Sequence, residues 1–138
     1  MAEDYRDFVA RRADYHCEYC RCPLKYSPNP MVVEHIVPRS KGGTDDLSNF
    51  ALACGGCNAH KFTATTGLDP ATGTEVPLYD PRRHHWDDHF IWGIDGVWII
   101  GVTAIGRATV SKLRLNREGT LKLRELTRQS GEKAPGDR

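Results

Sequence analysis

The sequence predicts an α+β fold: two short strands and a helix stapled by a zinc site of four cysteines, followed by a β-hairpin and helix extension. Three observations lead to this prediction. Two Cys-x-x-Cys pairs bracket a short β-branched run that ends at Pro38. A turn segment, Arg39 to Asp46, separates that run from a second apolar stretch. Farther on, Asp95-Gly96 lies between two apolar runs, a pattern typical of a hairpin.

The cysteines predict a metal site. Four of the five form the pairs Cys17/Cys20 and Cys54/Cys57, and Cys22 is left over as an incidental thiol. Because one tight turn aims two thiolates at a single ion, two such turns complete the tetrahedron that Zn²⁺ accepts. We therefore expect one structural Zn²⁺ on these four residues. A redox Cys-x-x-Cys and buried free thiols are the alternatives.

Composition limits the class of protein. The 138 residues suit one domain, or one core with a small appended subdomain. The longest apolar run, Val97–Val102, has the length of a strand and is far shorter than a membrane helix requires. The first four residues, Met1–Asp4, are acidic and lack a hydrophobic stretch. We therefore expect a cytoplasmic protein.

The first block of the chain, residues 1–65, is predicted to form a small core around the zinc knuckles. Tyr5, Phe8 and Val9 follow helical spacing within a predicted helix over 3–15. The remaining predicted elements, in order, are a knuckle at 17–20, a strand over 31–37, a turn at 39–46, an apolar stretch over 47–53 and a helix over 56–64.

The second block is predicted to be an extension. Residues 66–81 are rich in Gly, Pro and Thr and are predicted to be a linker. Residues 82–129 hold a predicted hairpin of 90–94 with 97–102, a helix over 104–115 that Thr103 caps, and a helix near 119–129. Residues 130–138 are predicted to be a disordered tail.

Four polar residues within the first block fit phosphodiester hydrolysis. His35 can act as a general base and deprotonate water, which is a common role of histidine in catalysis. The carboxylate of Glu34 and the amide of Asn58 offer oxygen ligands to a hard cation. Neighbouring residues of a strand point to opposite faces, so Glu34 and His35 need a bend to share one site. The fourth of these polar residues is Asn49, which precedes the second Cys-x-x-Cys pair.

The run from Val33 to Lys61 resembles the zinc-containing branch of the HNH endonucleases. The cysteine spacing, the Glu-His pair, the Gly-Gly-Thr-Asp-Asp turn and the Cys-x-x-Cys-Asn-x-x-Lys run carry the likeness. It implies a ββα fold that cleaves DNA with Mg²⁺ or Mn²⁺. It also implies roles: His35 as general base, Glu34 as metal ligand, Asn49 as the brace of the loop. Asn58 stands in place of the third histidine and implies a His-Asn-Asn variant with an amide metal ligand.

The charge distribution fits either a nucleic-acid surface or a solvated helix face. The chain carries 19 Lys and Arg against 18 Asp and Glu, but the bases concentrate at 107–128. The second block contains the runs Leu78-Tyr79-Asp80-Pro81-Arg82, Trp86-Asp87-Asp88-His89-Phe90 and Thr103-Ala104-Ile105-Gly106-Arg107-Ala108-Thr109. With these runs it resembles an extension found behind HNH cores in many bacterial proteins, and we expect it to contact the backbone of double-stranded DNA. The predicted contacts are Arg39, Lys41, Lys61, Arg107, Lys112 and Arg114.

Two other functions remain open. One is a zinc-scaffold module that binds nucleic acid without catalysis. The other is a nuclease directed at RNA, since phosphodiester chemistry does not distinguish the sugars. His84, His85 and His89 could form a second metal site with Asp87 and Asp88, although surface polar residues are the simpler interpretation. The oligomeric state is left open.

Overall fold

A computed structural model describes residues 4–27 and 30–131. In these ranges the helices are α1 (Tyr5–Arg12), α2 (Gly55–Lys61), α3 (Trp86–His89), α4 (Ala104–Leu113) and α5 (Glu118–Gln129). The strands are β1 (Val32–His35), β2 (Phe50–Ala53), β3 (Thr66–Leu68), β4 (Glu75–Pro77), β5 (Phe90–Trp92) and β6 (Ile99–Gly101). The strands pair antiparallel as β1–β2, β3–β4 and β5–β6. This mixed α+β architecture confirms the predicted fold class.

Helix α1 is shorter than the helix predicted over 3–15. The carboxylate of Asp4 caps it by accepting a 2.8 Å hydrogen bond from the Arg6 amide. Asp14 and Tyr15 have φ values of 53° and 57°, in the left-handed region, so the chain leaves the helix there. Glu3 lies outside the described residues.

The β1–β2 hairpin separates two apolar layers because side chains alternate across a strand. Phe50 and Leu52 pack with Val9 and Ala13 on the α1 side. Ala51 faces the opposite side and belongs to the main core, with the cysteines. The hairpin therefore places α1 on one face and the tetracysteine cluster on the other.

The loop between β1 and β2 is fixed by a close backbone approach. A Cβ at Gly43 would lie 1.7 Å from the carbonyl oxygen of Val37, so only glycine fits there. Gly42, immediately before it, has a φ of 86° and ends a short 3₁₀ turn over Arg39–Lys41. These two glycines shape the turn that carries Asp45.

Within residues 66–81, predicted as a linker, the structure has the β3–β4 hairpin instead of irregular chain. Asp69 organises the turn: its carboxylate accepts hydrogen bonds from the Ala71 amide and the Thr72 hydroxyl. It also accepts two hydrogen bonds of 2.9 Å from the Arg107 guanidinium on α4. Composition predicted a linker because this stabilising partner lies 38 residues away.

The extension has the predicted hairpin and helices, but the loop between the two hairpin strands is longer than predicted. The β5–β6 connection spans Gly93 to Trp98, closed by a 2.7 Å bond from the Gly93 amide to the Trp98 carbonyl, rather than two residues. Asp95 accepts from the Val97 and Trp98 amides and stabilises this longer turn. The hydroxyl of Thr103 caps α4 at Gly106, 3.0 Å away, as predicted.

The first block and the extension share one apolar core. The cluster contains Cys17 and Ala51 from the first block together with Phe90, Ile99 and Leu113 from the extension. The indole of Trp86 also donates to the Tyr19 carbonyl at 3.2 Å. Of the predicted tail, 132–138 lie outside the described residues. In the described ranges, no helix has the length and apolarity needed to cross a bilayer.

Candidate functional site

The four paired cysteines form a zinc-type site. Their sulfur atoms all lie within 4.8 Å of one another, and all four residues are buried. The Sγ atoms of Cys20 and Cys54 are 3.7 Å apart. Sulfurs around Zn²⁺ with Zn–S bonds of about 2.3 Å form a tetrahedron whose edge is about 3.8 Å. A disulfide would need about 2.05 Å, so the observed spacing fits a shared ion.

Two local turns aim these sulfurs. The Cys17 amide donates to the Cys22 carbonyl, and the Arg21 amide donates back to the Cys17 carbonyl, both at 3.0 Å. At the second pair, Cys54 is the N-cap of α2, and its sulfur accepts from the Cys57 amide at 3.4 Å. The start of α2 is thereby bound to the metal site.

His35 lies at the end of β1 in an open cleft. Its Nε2 is 2.8 Å from Oδ1 of Asp45, and its side chain is 25 % exposed. Its ring packs edge-on against its cross-strand neighbour Phe50, with the centroids 5.0 Å apart. The cleft has a volume of about 490 Å³, and its lining residues are Tyr5, Val33, His35, Arg39, Asp45, Leu47 and Phe50.

Asp45 is a residue whose role the sequence did not reveal. Its Oδ1 also accepts a 2.9 Å hydrogen bond from Nε of Arg39. Hydrogen bonds from His35 and then Arg39 lower the pKa of the Asp45 carboxyl. The only signal in the sequence was its place in the Gly-Gly-Thr-Asp-Asp turn, ten residues after His35.

Asn49 ties the ends of the intervening loop together. Its Oδ1 accepts from the Val37 amide, and its Nδ2 donates to the carbonyls of Val37 and Thr44, all at 2.9 Å. These bonds hold the segment that carries Asp45 beside the end of β1.

Glu34 points away from His35, since β1 stays regular and the bend that would join them is not formed. The carboxylate is buried, accepts a hydrogen bond from the Tyr19 hydroxyl and lies 3.5 Å from Nζ of Lys61. Burial raises the pKa of Glu34, and Lys61 opposes that shift. Asn58 lies one turn before Lys61 on α2 and so shares its side of the helix.

The sequence model of the HNH endonuclease family matches residues 17–63. Residues 17–63 are an HNH domain. The matched segment contains both cysteine pairs, the β1–β2 hairpin and α2. No curated protein and no solved structure matches the chain.

The basic residues expected to contact DNA divide into two sets. Lys61 of the HNH domain is 1 % exposed and donates to the Ile36 carbonyl at 2.8 Å. Arg107 is held by Asp69. Both therefore have internal partners, which their sequence positions did not show. Four lie at the surface: Arg39, Lys41, Lys112 and Arg114.

His60 marks the positive surface near the end of α2. Burial lowers its pKa, and the nearby charges of Arg117, Arg114 and Lys112 lower it further. Because α2 and α4 pack together, the HNH domain and the extension contribute to the same basic patch.

The extension's histidines make local contacts rather than a second metal site. The rings of His84 and His89 lie 5.0 Å apart, beside Tyr79. His84 Nδ1 accepts from the Asp80 amide, and His89 Nδ1 is 2.6 Å from the Thr103 hydroxyl. Across residues 4–27 and 30–131, the cysteine cluster is the only group of three or more His, Cys, Asp or Glu side chains placed to hold a metal ion.

Proposed function

We propose that this protein is a metal-dependent endonuclease that hydrolyses phosphodiester bonds of double-stranded DNA. The observation that carries the proposal is the His35–Asp45 pair, open to solvent in the cleft of an HNH domain. A general base that deprotonates water must be accessible to solvent, and its own proton must be fixed on one ring nitrogen. The His35–Asp45 pair meets both requirements.

His35 is the proposed general base. A carboxylate only accepts hydrogen bonds, so the contact with Asp45 favours the tautomer with its proton on Nε2. The lone pair then lies on Nδ1, which takes the proton from the attacking water. Asp45 stabilises the imidazolium that results, and Asn49 holds the loop on which Asp45 lies.

The proposed catalytic cation is Mg²⁺ or Mn²⁺, with Glu34 and Asn58 as its protein ligands. A carboxylate and an amide oxygen suit a hard cation, which would neutralise charge on the phosphorane and leaving group. In the arrangement described, Lys61 is the cationic partner of Glu34. Binding of the divalent cation must therefore displace the Lys61 ammonium from this carboxylate. The end of β1 must also bend, because Glu34 and His35 lie on opposite faces of the regular strand and both must reach one phosphate.

The proposed DNA contacts are the exposed bases on both sides of the domain. Arg39 lines the cleft and Lys41 follows it on the same turn. Lys112 and Arg114 lie at the basic patch by His60. Neutralising any one of these bases should weaken the binding of all sequences alike and reduce its salt dependence, because one fewer phosphate is paired.

One observation favours a second candidate, a nucleic-acid-binding module without catalysis. The Lys61 ammonium already compensates the charge of Glu34 in the buried interior. If that pair never opens, Glu34 has no position for a divalent cation.

The deciding experiment compares supercoiled plasmid with a single-stranded RNA, each incubated with Mg²⁺ or Mn²⁺. Wild-type protein should nick the plasmid, and His35→Ala should lose about 10²–10⁴-fold in rate. His85→Ala makes the same chemical change at an exposed residue outside the cleft and should cleave normally. Binding without cleavage would support the second candidate, and cleavage of RNA alone would overturn the DNA assignment.

A further inference from the structure

Arg117, immediately before α5, contacts the zinc-type site directly. Its guanidinium donates to Sγ of Cys54 at 3.2 Å and to Sγ of Cys57 at 3.6 and 3.7 Å. It also donates to the carbonyls of Leu113 and Arg114. The planar guanidinium presents its N–H donors in a fixed fork, so it reaches two sulfurs at once.

Gly56 makes room for this contact. A Cβ at Gly56 would lie 2.4 Å from a terminal nitrogen of the Arg117 guanidinium. Gly56 lies in the first turn of α2, where an alanine would otherwise be favoured. The glycine therefore keeps open the space in which the guanidinium lies across the helix to reach the sulfurs.

Arg124 of α5 is a second cation beside the same cluster. It is 4 % exposed, and its hydrogen-bond partners are neutral: it donates to the carbonyls of Cys20, Val97 and Leu115 and to the amide oxygen of Asn116. Its guanidinium also lies over the Trp92 ring. A buried charge normally needs a counter-charge, and none of these partners supplies one.

When Zn²⁺ binds, the four cysteines are deprotonated, and their thiolates supply the missing negative charge. Four thiolates around one Zn²⁺ leave a net double negative charge on a buried cluster. Two arginines, one on the sulfurs and one on a backbone oxygen of Cys20, balance it. We propose that Arg117 and Arg124 are the charge partners of the zinc–thiolate cluster, so that the extension completes the metal centre of the HNH domain.

This inference gives the extension a role separate from DNA binding. Both arginines lie outside residues 17–63, so the HNH segment alone holds the ligands without their counter-charges. The inference requires zinc and does not require nuclease activity. Its readouts are therefore metal affinity and the spectrum of the metal–sulfur bonds.

The test is zinc affinity of the full chain, measured by competition with a chromophoric chelator. Arg117→Gln should bind zinc about 10–100-fold more weakly, the range seen when groups that orient metal ligands are removed. Arg128→Gln removes the same charge from an exposed position in the last turn of α5 and should leave zinc affinity unchanged. In the Co²⁺-substituted protein, Arg117→Gln should move the sulfur-to-cobalt charge-transfer band to lower energy, because the sulfur lone pairs lose their hydrogen bonds.

Gly56→Ala provides a second test if Arg117→Gln does not fold. The new methyl group should displace the guanidinium from the sulfurs without changing any charge, and a flexible side chain can yield at little cost. Zinc affinity should fall and the cobalt band should shift as in Arg117→Gln, although alanine favours the helix. Unchanged affinity and an unchanged band in Gly56→Ala, or in a folded Arg117→Gln, would overturn the proposal.

Discussion

Phe62 follows α2 with φ of 51° and ψ of −119°, a conformation that glycine adopts readily and phenylalanine does not. Its ring is 77 % exposed, so packing does little to offset the backbone strain. Phe62→Gly should therefore raise the stability of the protein by about 1 kcal/mol, after the entropy cost of glycine is counted. Thermal unfolding checks this, with the exposed Ile94→Gly as a control for the loss of a surface side chain; a lower Tm in Phe62→Gly would contradict it.

In the proposed mechanism Asp45 acts through His35, so loss of Asp45 should reduce cleavage without removing the base. Asp45→Asn should slow cleavage by less than the ~10²–10⁴-fold expected for His35→Ala, because an amide can still bond the imidazole but stabilises the imidazolium less. Asp46→Asn is the matched control, at an exposed neighbour. Equal rates for Asp45→Asn and wild type would show that the pair has no part in the chemistry.

The residues of this cleft show what a sequence can reveal. His35 and Asn49 were predicted because they lie within a recognisable run of motif residues. Asp45 was assigned no role because its contact depends on a loop whose shape Gly43 and Asn49 determine. Likewise, the partner of Glu34 is Lys61 on another element, and residue spacing did not predict that ion pair.

At the level of elements, the Asp69–Arg107 ion pair joins the β3–β4 hairpin to α4. Asp69 is fully buried in the described structure, and both guanidinium bonds are 2.9 Å long. Asp69→Asn should lower the Tm, since it removes the charge that Arg107 faces while leaving the turn's shape possible. Glu75→Gln, on the exposed side of the same hairpin, is the control and should change the Tm little.

The same pair predicts a pH dependence. The Arg107 hydrogen bonds lower the pKa of Asp69 in the folded state. A carboxyl whose pKa is lowered by folding stabilises the folded state at pH values above its unfolded pKa of about 3.9. That stabilisation is lost as the pH falls toward the pKa of the folded state. Wild type should therefore lose more stability than Asp69→Asn between about pH 5 and pH 2. Parallel pH profiles for the two proteins would contradict this role.

Some of the short elements could be predicted from neighbouring residues, and others could not. The Thr103 cap, α4 and α5 follow from local residues, and the structure has them close to the predicted bounds. The β3–β4 hairpin was missed because Gly, Pro and Thr are common to linkers and to tight turns. Only the distant Arg107 distinguishes the two cases here.

At the scale of the whole molecule, one core joins the zinc-type site to the extension. All three tryptophans, Trp86, Trp92 and Trp98, lie in the extension, while all four ligand cysteines lie in the HNH domain. Removal of zinc should therefore shift tryptophan emission to longer wavelength in step with the loss of helical circular dichroism, since Trp86 packs in the shared core. Adding zinc back should restore both signals. A tryptophan spectrum that stays native in zinc-free protein would show that the extension folds independently.

The proposed function gives zinc a structural role and leaves the chemistry to His35 with a separate divalent cation. The most direct measurement of this division is single-turnover cleavage of a labelled DNA duplex by zinc-loaded protein, freed of other cations and titrated with Mg²⁺ or Mn²⁺. Wild type should be folded but inactive without added cation and should gain activity to saturation. His35→Ala should keep its zinc and its fold and cleave at least about 10²-fold more slowly at every cation concentration. Full wild-type cleavage without added cation, or undiminished cleavage by zinc-loaded His35→Ala, would contradict the assignment.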